Sequence, residues 1–287
     1  MPDNRREVVP RLQATLPPDL RTWFSARQSE GVPWLEAHVP VPFRLGFSTR
    51  WGGVSGEDYA ELNLSYWVGD DPVHVDQNLR VLGGSLGFPA EHVVLPRQVH
   101  GLEILETDEC RRRGGHPPCD GLIVRTERDR RHLVLMISGD CLTVVLVGKQ
   151  TLALIHAGWR GLRDGILQKG VAAMGEDRPS LAVFGPAIGP CCYEVGADVA
   201  EEMGRRLGTE MVVESGGRLH LDLWAGAEAA LGEAGLERGA VVNPRLCTLC
   251  HPDLFYSHRG EGPRTGRHTA FAWVEGHEAQ GGAGQER

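Results

Sequence analysis

His132-Leu133-Val134-Leu135-Met136-Ile137, Cys141-Leu142-Thr143-Val144-Val145-Leu146-Val147 and Thr151-Leu152-Ala153-Leu154-Ile155 are three runs within 24 residues whose reading decides the fold. Each is short, rich in branched side chains and almost continuously apolar. A strand with one wet face alternates apolar and polar residues, so these read as strands buried on both faces. The link Val147-Gly148-Lys149-Gln150-Thr151 reads as a hairpin connection. After Ile155 comes His156-Ala157-Gly158-Trp159-Arg160-Gly161, and a helix is expected from about Leu162 to Met174.

Outward from this centre the pattern keeps alternating. A strand is expected over Phe43 to Thr49, feeding the Gly-rich loop Arg50-Trp51-Gly52-Gly53-Val54-Ser55-Gly56. Residues 74–87 read as a helix with Val75, Leu79, Val81 and Leu82 on its apolar face, and short strands follow at Val93 to Leu95, Leu102 to Leu105 and Gly121 to Val124. Further on, strands are expected at Leu181 to Phe184, Val241-Val242 and Thr269 to Val274, with helices near 196–207 and 222–234, the second capped by Asp222. The class is α/β. Residues 1–40 read as an N-terminal extension in which Pro17-Pro18 opens a short helix through Leu20 to Phe24. Residues 41–275 read as one catalytic domain, and 276–287, rich in Gly, Gln and Glu, as a disordered tail.

Composition excludes several classes. The 287 residues are 41% hydrophobic and 24% charged, which suits a globular fold with a large core. Thirty Lys and Arg against 38 Asp and Glu give a net charge of -8, with no dense basic block, so a general nucleic-acid binder is not expected. Lys149 and Lys169 are the only lysines, an Arg bias that fits genome composition or heat adaptation. Met1 to Arg11 is polar and charged, without the apolar stretch of a secretory signal, and Leu133 to Val147 is too short to span a bilayer. The expectation is a cytoplasmic protein with reduced thiols and no membrane contact.

Three residues carry the first chemistry: His100, Cys141 and His156, each where an expected strand meets a loop containing Gly. Two imidazoles and one thiolate would give zinc three ligands and leave one position open, the catalytic pattern. Other readings suit the same residues. Cys141 and His156 also fit a nucleophile–base pair oriented by Asp140 or another carboxylate, and a buried structural Cys with backbone-satisfied imidazoles fits as well. Cys247-Thr248-Leu249-Cys250-His251 matches the haem-attachment spacing, but that chemistry needs an exported protein. As a zinc site the pair supplies only half a ligand set, which leaves local packing or a thiol pair. Arg50 at its Gly-rich loop and Arg160 at a helix start are placed to bind an anion, or to form surface ion pairs. The polar, Gly-rich segment from Ser257 to Arg267 reads as a pocket cover or a surface loop.

Together these motifs resemble the YfiH family, also called the laccase-domain or multicopper polyphenol oxidase family. The matching stretches include Phe47-Ser48-Thr49-Arg50-Trp51-Gly52-Gly53-Val54-Ser55, Leu62-Asn63-Leu64, Gln98-Val99-His100-Gly101 and Asp120-Gly121-Leu122. They continue through Gly139-Asp140-Cys141-Leu142, His156-Ala157-Gly158-Trp159-Arg160-Gly161, Gly185 to Pro190, Tyr193-Glu194-Val195-Gly196, and the segments around Cys247 and Arg267. The match runs from about Pro42 to Val274. Departures are small: Ser138-Gly139 stands where relatives have Thr-Ala, and Pro263 interrupts the Arg259 to Arg267 run.

The resemblance implies a layered sandwich of two β-sheets flanked by helices, and Zn2+ on His100, Cys141 and His156. It implies phosphorolysis of adenosine, inosine, guanosine and methylthioadenosine to free base and ribose 1-phosphate, with adenosine deamination as a second activity. Cys141, His156, His100 and Asp140 would be catalytic, and Arg50, Asn63, Arg160 and Arg267 would bind substrate or phosphate. Purine nucleosides and phosphate are then the expected partners, with no nucleic acid, membrane or obligate protein partner. Three alternatives remain: a copper polyphenol oxidase, a Cys-dependent amidase acting on peptidoglycan precursors, and a non-catalytic interaction protein. A three-ligand site with one open position suits zinc better than a multicopper centre.

Overall fold

A computed structural model of the chain describes residues 5–276, and the tail expected over 276–287 lies outside it from residue 277 on. The three apolar runs become the strands Leu133–Ser138, Leu142–Val147 and Thr151–Ala157, every residue of which is buried. They do not share one sheet. Leu133–Ser138 lies in a six-stranded sheet ordered Phe24–Ser29, Val32–Ala37, Phe43–Ser48, His268–Val274, Leu133–Ser138, Val93–Val94. The hairpin Leu142–Val147/Thr151–Ala157 lies in a second, ordered Val241–Val242, Leu181–Phe184, Leu142–Val147, Thr151–Ala157, Gly121–Arg125, Ile104–Glu106.

Alternate side chains explain the double burial. Val145, Val147, Leu152 and Leu154 face Val134, Met136, Leu45 and Phe47 in the core between the sheets. Their neighbours Val144, Leu146, Ala153 and Ile155 join Leu162, Ile166, Leu167 and Trp224 beneath the helices of the C-terminal half. On the far side, Leu133, Leu135 and Ile137 pack with Val75, Leu79 and Leu82 of the helix Pro72–Ser85. The result is helix, sheet, sheet, helix. With each fully buried aliphatic side chain contributing roughly 1.5–3 kcal/mol, this layering holds an antiparallel pair whose strands read as continuously apolar.

The sequence reading needs correction in two places. The helix expected from Leu162 to Met174 is two helices, Trp159–Asp164 and Ile166–Ala173, because Gly165 between them sits at φ +89°, outside the helical region. Leu20 to Phe24 is not a helix: after a short 3-10 turn at Pro18–Leu20, Phe24 opens a hairpin that adds two strands to the first sheet. Its turn, Glu30-Gly31, has positive φ at both residues (48° and 83°), the conformation that matches strand twist. A helix at Arg5–Thr15 and a small sheet of Glu194–Val195, Arg218–Leu221 and Val212–Ser215 complete the additions.

Candidate functional site: a His–Cys–His cluster in a cleft

Strand register brings the chemistry together. Leu142 pairs with Ala157 and Gly121 with Ile155, so Cys141, His156 and Asp120 meet at one end of the second sheet. The His156 N–H donates to the Asp120 carbonyl at 2.8 Å. His100 arrives from the loop after Val93–Val94, held at φ +58°. The ligand atoms of His100, Cys141 and His156 all lie within 4.8 Å of one another, with the His100 Nε2 3.8 Å from the Cys141 Sγ. Gly158 permits this convergence: a Cβ there would sit 3.2 Å from the Cys141 Sγ and 3.3 Å from the His100 ring.

The group that organises the cluster is Asp120, which is fully buried. Its Oδ1 accepts from the His100 N–H (2.9 Å) and His156 Nδ1 (2.9 Å), and its Oδ2 from the Gly101 N–H (2.7 Å) and Val99 N–H (3.3 Å). Three backbone N–H groups wrapped on one carboxylate compensate the strained backbone of His100. Burial pushes the Asp120 carboxyl up, but the His156 hydrogen bond and charge, with the Gly101 and Val99 N–H groups, hold it below its ordinary value. With Nδ1 bonded to Asp120, His156 leaves Nε2 for a metal or substrate, the arrangement in which an outer carboxylate fixes a ligating imidazole.

Electrostatics match this order. Burial raises the Cys141 thiol pKa, yet the His156 charge and hydrogen bonds from both imidazoles bring it down to about 6. Burial lowers His156, yet the Cys141 thiolate and Asp120 raise it to about 9. Both shifts run in the direction that favours a thiolate beside an imidazolium. The donor set fits a soft divalent ion: two imidazole nitrogens and one thiolate, already in mutual reach, with an outer carboxylate in place.

The cluster forms part of the wall of a cleft of about 270 Å³ that also includes Trp67, Gln98, Ser138, His258 and Arg267. Arg267 donates to the Thr265 and Gly266 carbonyls, both at 2.8 Å, and its aliphatic stem packs over Gly139. Asn63 is buried behind it, accepting from the Arg267 N–H (3.0 Å) and donating to Asp70 (2.8 Å). The other two arginines do not line this cleft. Arg50 donates to the Ala60 and Pro252 carbonyls and to Glu261, with its guanidinium 4.5 Å above the Tyr256 ring, so it braces the chain. Arg160 is exposed and stacks on Trp159. Asp140 is also committed elsewhere: it accepts from the Thr248 hydroxyl (2.5 Å) and the Arg259 N–H (2.6 Å), pinning the turn before Cys141. The carboxylate on the imidazole is Asp120. Its place at a strand start in the Asp120-Gly121-Leu122 motif was the available signal.

A family model described as multi-copper polyphenol oxidoreductase laccase matches residues 44–275. The chain belongs to this YfiH, or laccase-domain, family. Within the YfiH family it is 37% identical over 249 residues to a purine nucleoside phosphorylase of Xylella fastidiosa, covering 82% of this chain and 94% of that one. It is 34% identical over 266 residues to purine nucleoside phosphorylase YlmD of Geobacillus stearothermophilus, covering 85% and 95%. The crystal structure of YlmD from that organism superposes with a TM-score of 0.78 at 31% identity, over 88% of this chain and 99% of that one. The two-sheet sandwich expected from the family resemblance is thus the fold observed. Among the described residues, no helix is long and apolar enough to cross a membrane.

Proposed function

We propose that this YfiH-family chain is a metal-dependent purine nucleoside phosphorylase that also deaminates adenosine. The observation that carries the reading is the His100–Cys141–His156 cluster within one cleft that also contains Arg267. Relatives named as purine nucleoside phosphorylases support the substrate class. His100, Cys141 and His156 would hold the ion, and zinc is the metal their chemistry favours. When bound, zinc would supply Lewis-acid polarisation of a substrate oxygen or activation of water.

The chain's own residues have separate tasks. Arg267, the one arginine lining the cleft among the described residues, binds the phosphate dianion and steers it at the anomeric carbon; the phosphate oxygen forms the new C–O bond as the C–N bond to the purine breaks. Trp67, about two-fifths exposed at 39%, offers a stacking face for the base. Gln98, in the wall of the same cleft, is fixed by the bond its side-chain N–H donates to the Ile137 carbonyl (2.5 Å). Asp120 keeps His156 oriented throughout. Arg50, Arg160, Asn63 and Asp140 act at a distance from the reacting atoms, by supporting loops and neighbours. Reduced thiols and a cytoplasmic setting are part of the same reading.

The test is base release from inosine and adenosine, with and without phosphate. Hypoxanthine or adenine together with ribose 1-phosphate, appearing only with phosphate, is the expected result. No base, ammonia or sugar phosphate at any metal loading refutes it. A second reading has one observation in its favour: the lowered Cys141 thiol, His156 and Asp120 together also make a nucleophile, base and orienting carboxylate. That Cys-dependent amidase would lose activity to iodoacetamide and keep it in chelator. A copper polyphenol oxidase would bind copper stoichiometrically and consume oxygen.

A further inference from the structure

A second cluster lies outside the lining of the cleft. Ala187 and Cys247 form a parallel bridge in which the Ala187 N–H donates to the Leu246 carbonyl and the Thr248 N–H to the Ala187 carbonyl, each at 3.1 Å. This zips the Gly185 to Pro190 loop against the chain leaving Val241–Val242, and sets Cys191-Cys192 beside Cys247 and Cys250. All four Sγ atoms lie within 4.8 Å of one another. Cys250 is 3.5 Å from Cys191 and 3.5 Å from Cys192.

These distances discriminate between the uses of four thiols. A tetrahedral ion with metal–sulfur bonds of about 2.3 Å has sulfur–sulfur edges of about 3.8 Å; two separations here are 3.5 Å and none exceeds 4.8 Å. A disulfide needs its sulfurs about 2 Å apart and joins only two. Cys250, equidistant from two partners, would have to abandon one of them. Packing alone does not explain the surroundings either. The Gly189 N–H donates to the Cys247 Sγ at 3.2 Å, a bond that favours a thiolate, and a Cβ at Gly189 would stand 3.2 Å from the Cys191 Sγ and 2.9 Å from the Trp224 ring. The backbone approaches the sulfurs closely because there is no side chain to prevent it.

The geometry points to a four-cysteine structural zinc site formed by Cys191, Cys192, Cys247 and Cys250, separate from the His–Cys–His cluster. All four tetrahedral positions are filled by protein, so the ion has no place for water and serves to cross-link two segments. One of those segments carries Thr248, whose hydroxyl holds Asp140 in the turn before Cys141. The half ligand set legible at Cys247 and Cys250 is completed by a pair 55 residues upstream of Cys247 in the sequence.

The full-length chain with Cys141→Ser removes one ligand of the cleft cluster and isolates the second site. Purified from cells, this variant should retain one zinc per chain. After exchange with Co2+ it should show the intense visible bands and sulfur-to-metal charge transfer of a four-thiolate tetrahedral ion. Adding Cys250→Ser should remove that equivalent. Failure of the Cys141→Ser chain to bind zinc or Co2+, a Co2+ spectrum without thiolate character, or a disulfide mapped by peptide digestion to two of these four cysteines would each overturn the site. Should the double variant not fold, the Co2+ spectrum of Cys141→Ser decides alone.

Discussion

Asp120→Asn replaces one buried acceptor oxygen by an NH2 group of the same shape, and both amide orientations are unfavourable. With the NH2 in place of Oδ2, it faces the N–H groups of Val99 and Gly101; in place of Oδ1, it faces the His100 N–H and His156 Nδ1. The first orientation loses two hydrogen bonds to a charged acceptor, at roughly 1.5–3 kcal/mol each, and the second loses the His100 bond and keeps the other only if His156 changes tautomer; both are partly offset because a neutral amide costs less to bury than a carboxylate. We take about 3 kcal/mol as the net loss, which lowers Tm by roughly 6–12 °C in a chain of this size. The second orientation has a further effect. His156 would have to move its proton to Nε2 and accept the amide at Nδ1, giving up the nitrogen that faces the cleft. Metal affinity at the cluster should therefore fall about 10- to 100-fold, the range for loss of an outer-sphere partner. Thermal denaturation of the metal-free chain and a Zn2+ titration against a competing chelator measure the two effects separately. A Tm within 1 °C of the parent and a metal Kd within twofold would refute the organising role assigned to Asp120.

Three further outcomes follow from the same contacts. Arg50→Lys gives up a fork that reaches two carbonyls and Glu261, so it should cost about 2 kcal/mol in urea denaturation while leaving the KM for phosphate within about twofold; a large KM rise would return Arg50 to the phosphate site. Gly139→Ala would place a Cβ 2.7 Å from the Arg267 Cδ, and the displaced guanidinium should raise the phosphate KM about tenfold, as misplaced contacts do, with no change in metal content. His268 is held neutral: burial first, then the charges of Arg267 and Arg50, push its pKa down to about 3. Unfolding frees it to protonate below its ordinary value near 6.5, so its contribution is intact above that pH and declines as pH falls towards 3. His268→Leu should flatten the acid limb by up to ~1.4 kcal/mol per pH unit in denaturant titrations at pH 7.5, 6 and 5, and an unchanged limb counts against this assignment.

The elements legible in the sequence were those whose burial pattern is local. Leu133 to Ile137 and Cys141 to Val147 are apolar on both faces, and that alone requires a covering layer on each side. Helix Leu223–Glu233 starts where the Asp222 side chain accepts from the Trp224 and Ala225 N–H groups, a signal contained in four residues. By contrast, the hairpin Phe24–Ala37 mixes Arg27, Gln28 and Glu36 into its strands, because paired ions such as Arg27–Glu36 replace alternation at a sheet edge. Nothing local marks it. The break at Gly165 was missed because a glycine in an apolar helical run is common and only its φ shows the turn.

The sequence by itself determined the α/β class, strands buried on both faces and the three metal-ligating candidates, because apolar patterning and residue type are properties of the chain. Which candidates meet, and what else they meet, was decided by register and loop packing. Asp120 rather than Asp140 reaches the imidazole because Gly121 pairs with Ile155, and Arg267 rather than Arg50 lines the cleft because its stem lies against Gly139 beside Cys141, whereas Arg50 is tied to Ala60, Pro252 and Glu261. The cysteines show the division most clearly. The sequence offered one half-set, Cys247 and Cys250, and gave Cys191 and Cys192 no role; the parallel bridge between Ala187 and Cys247 makes them one group of four.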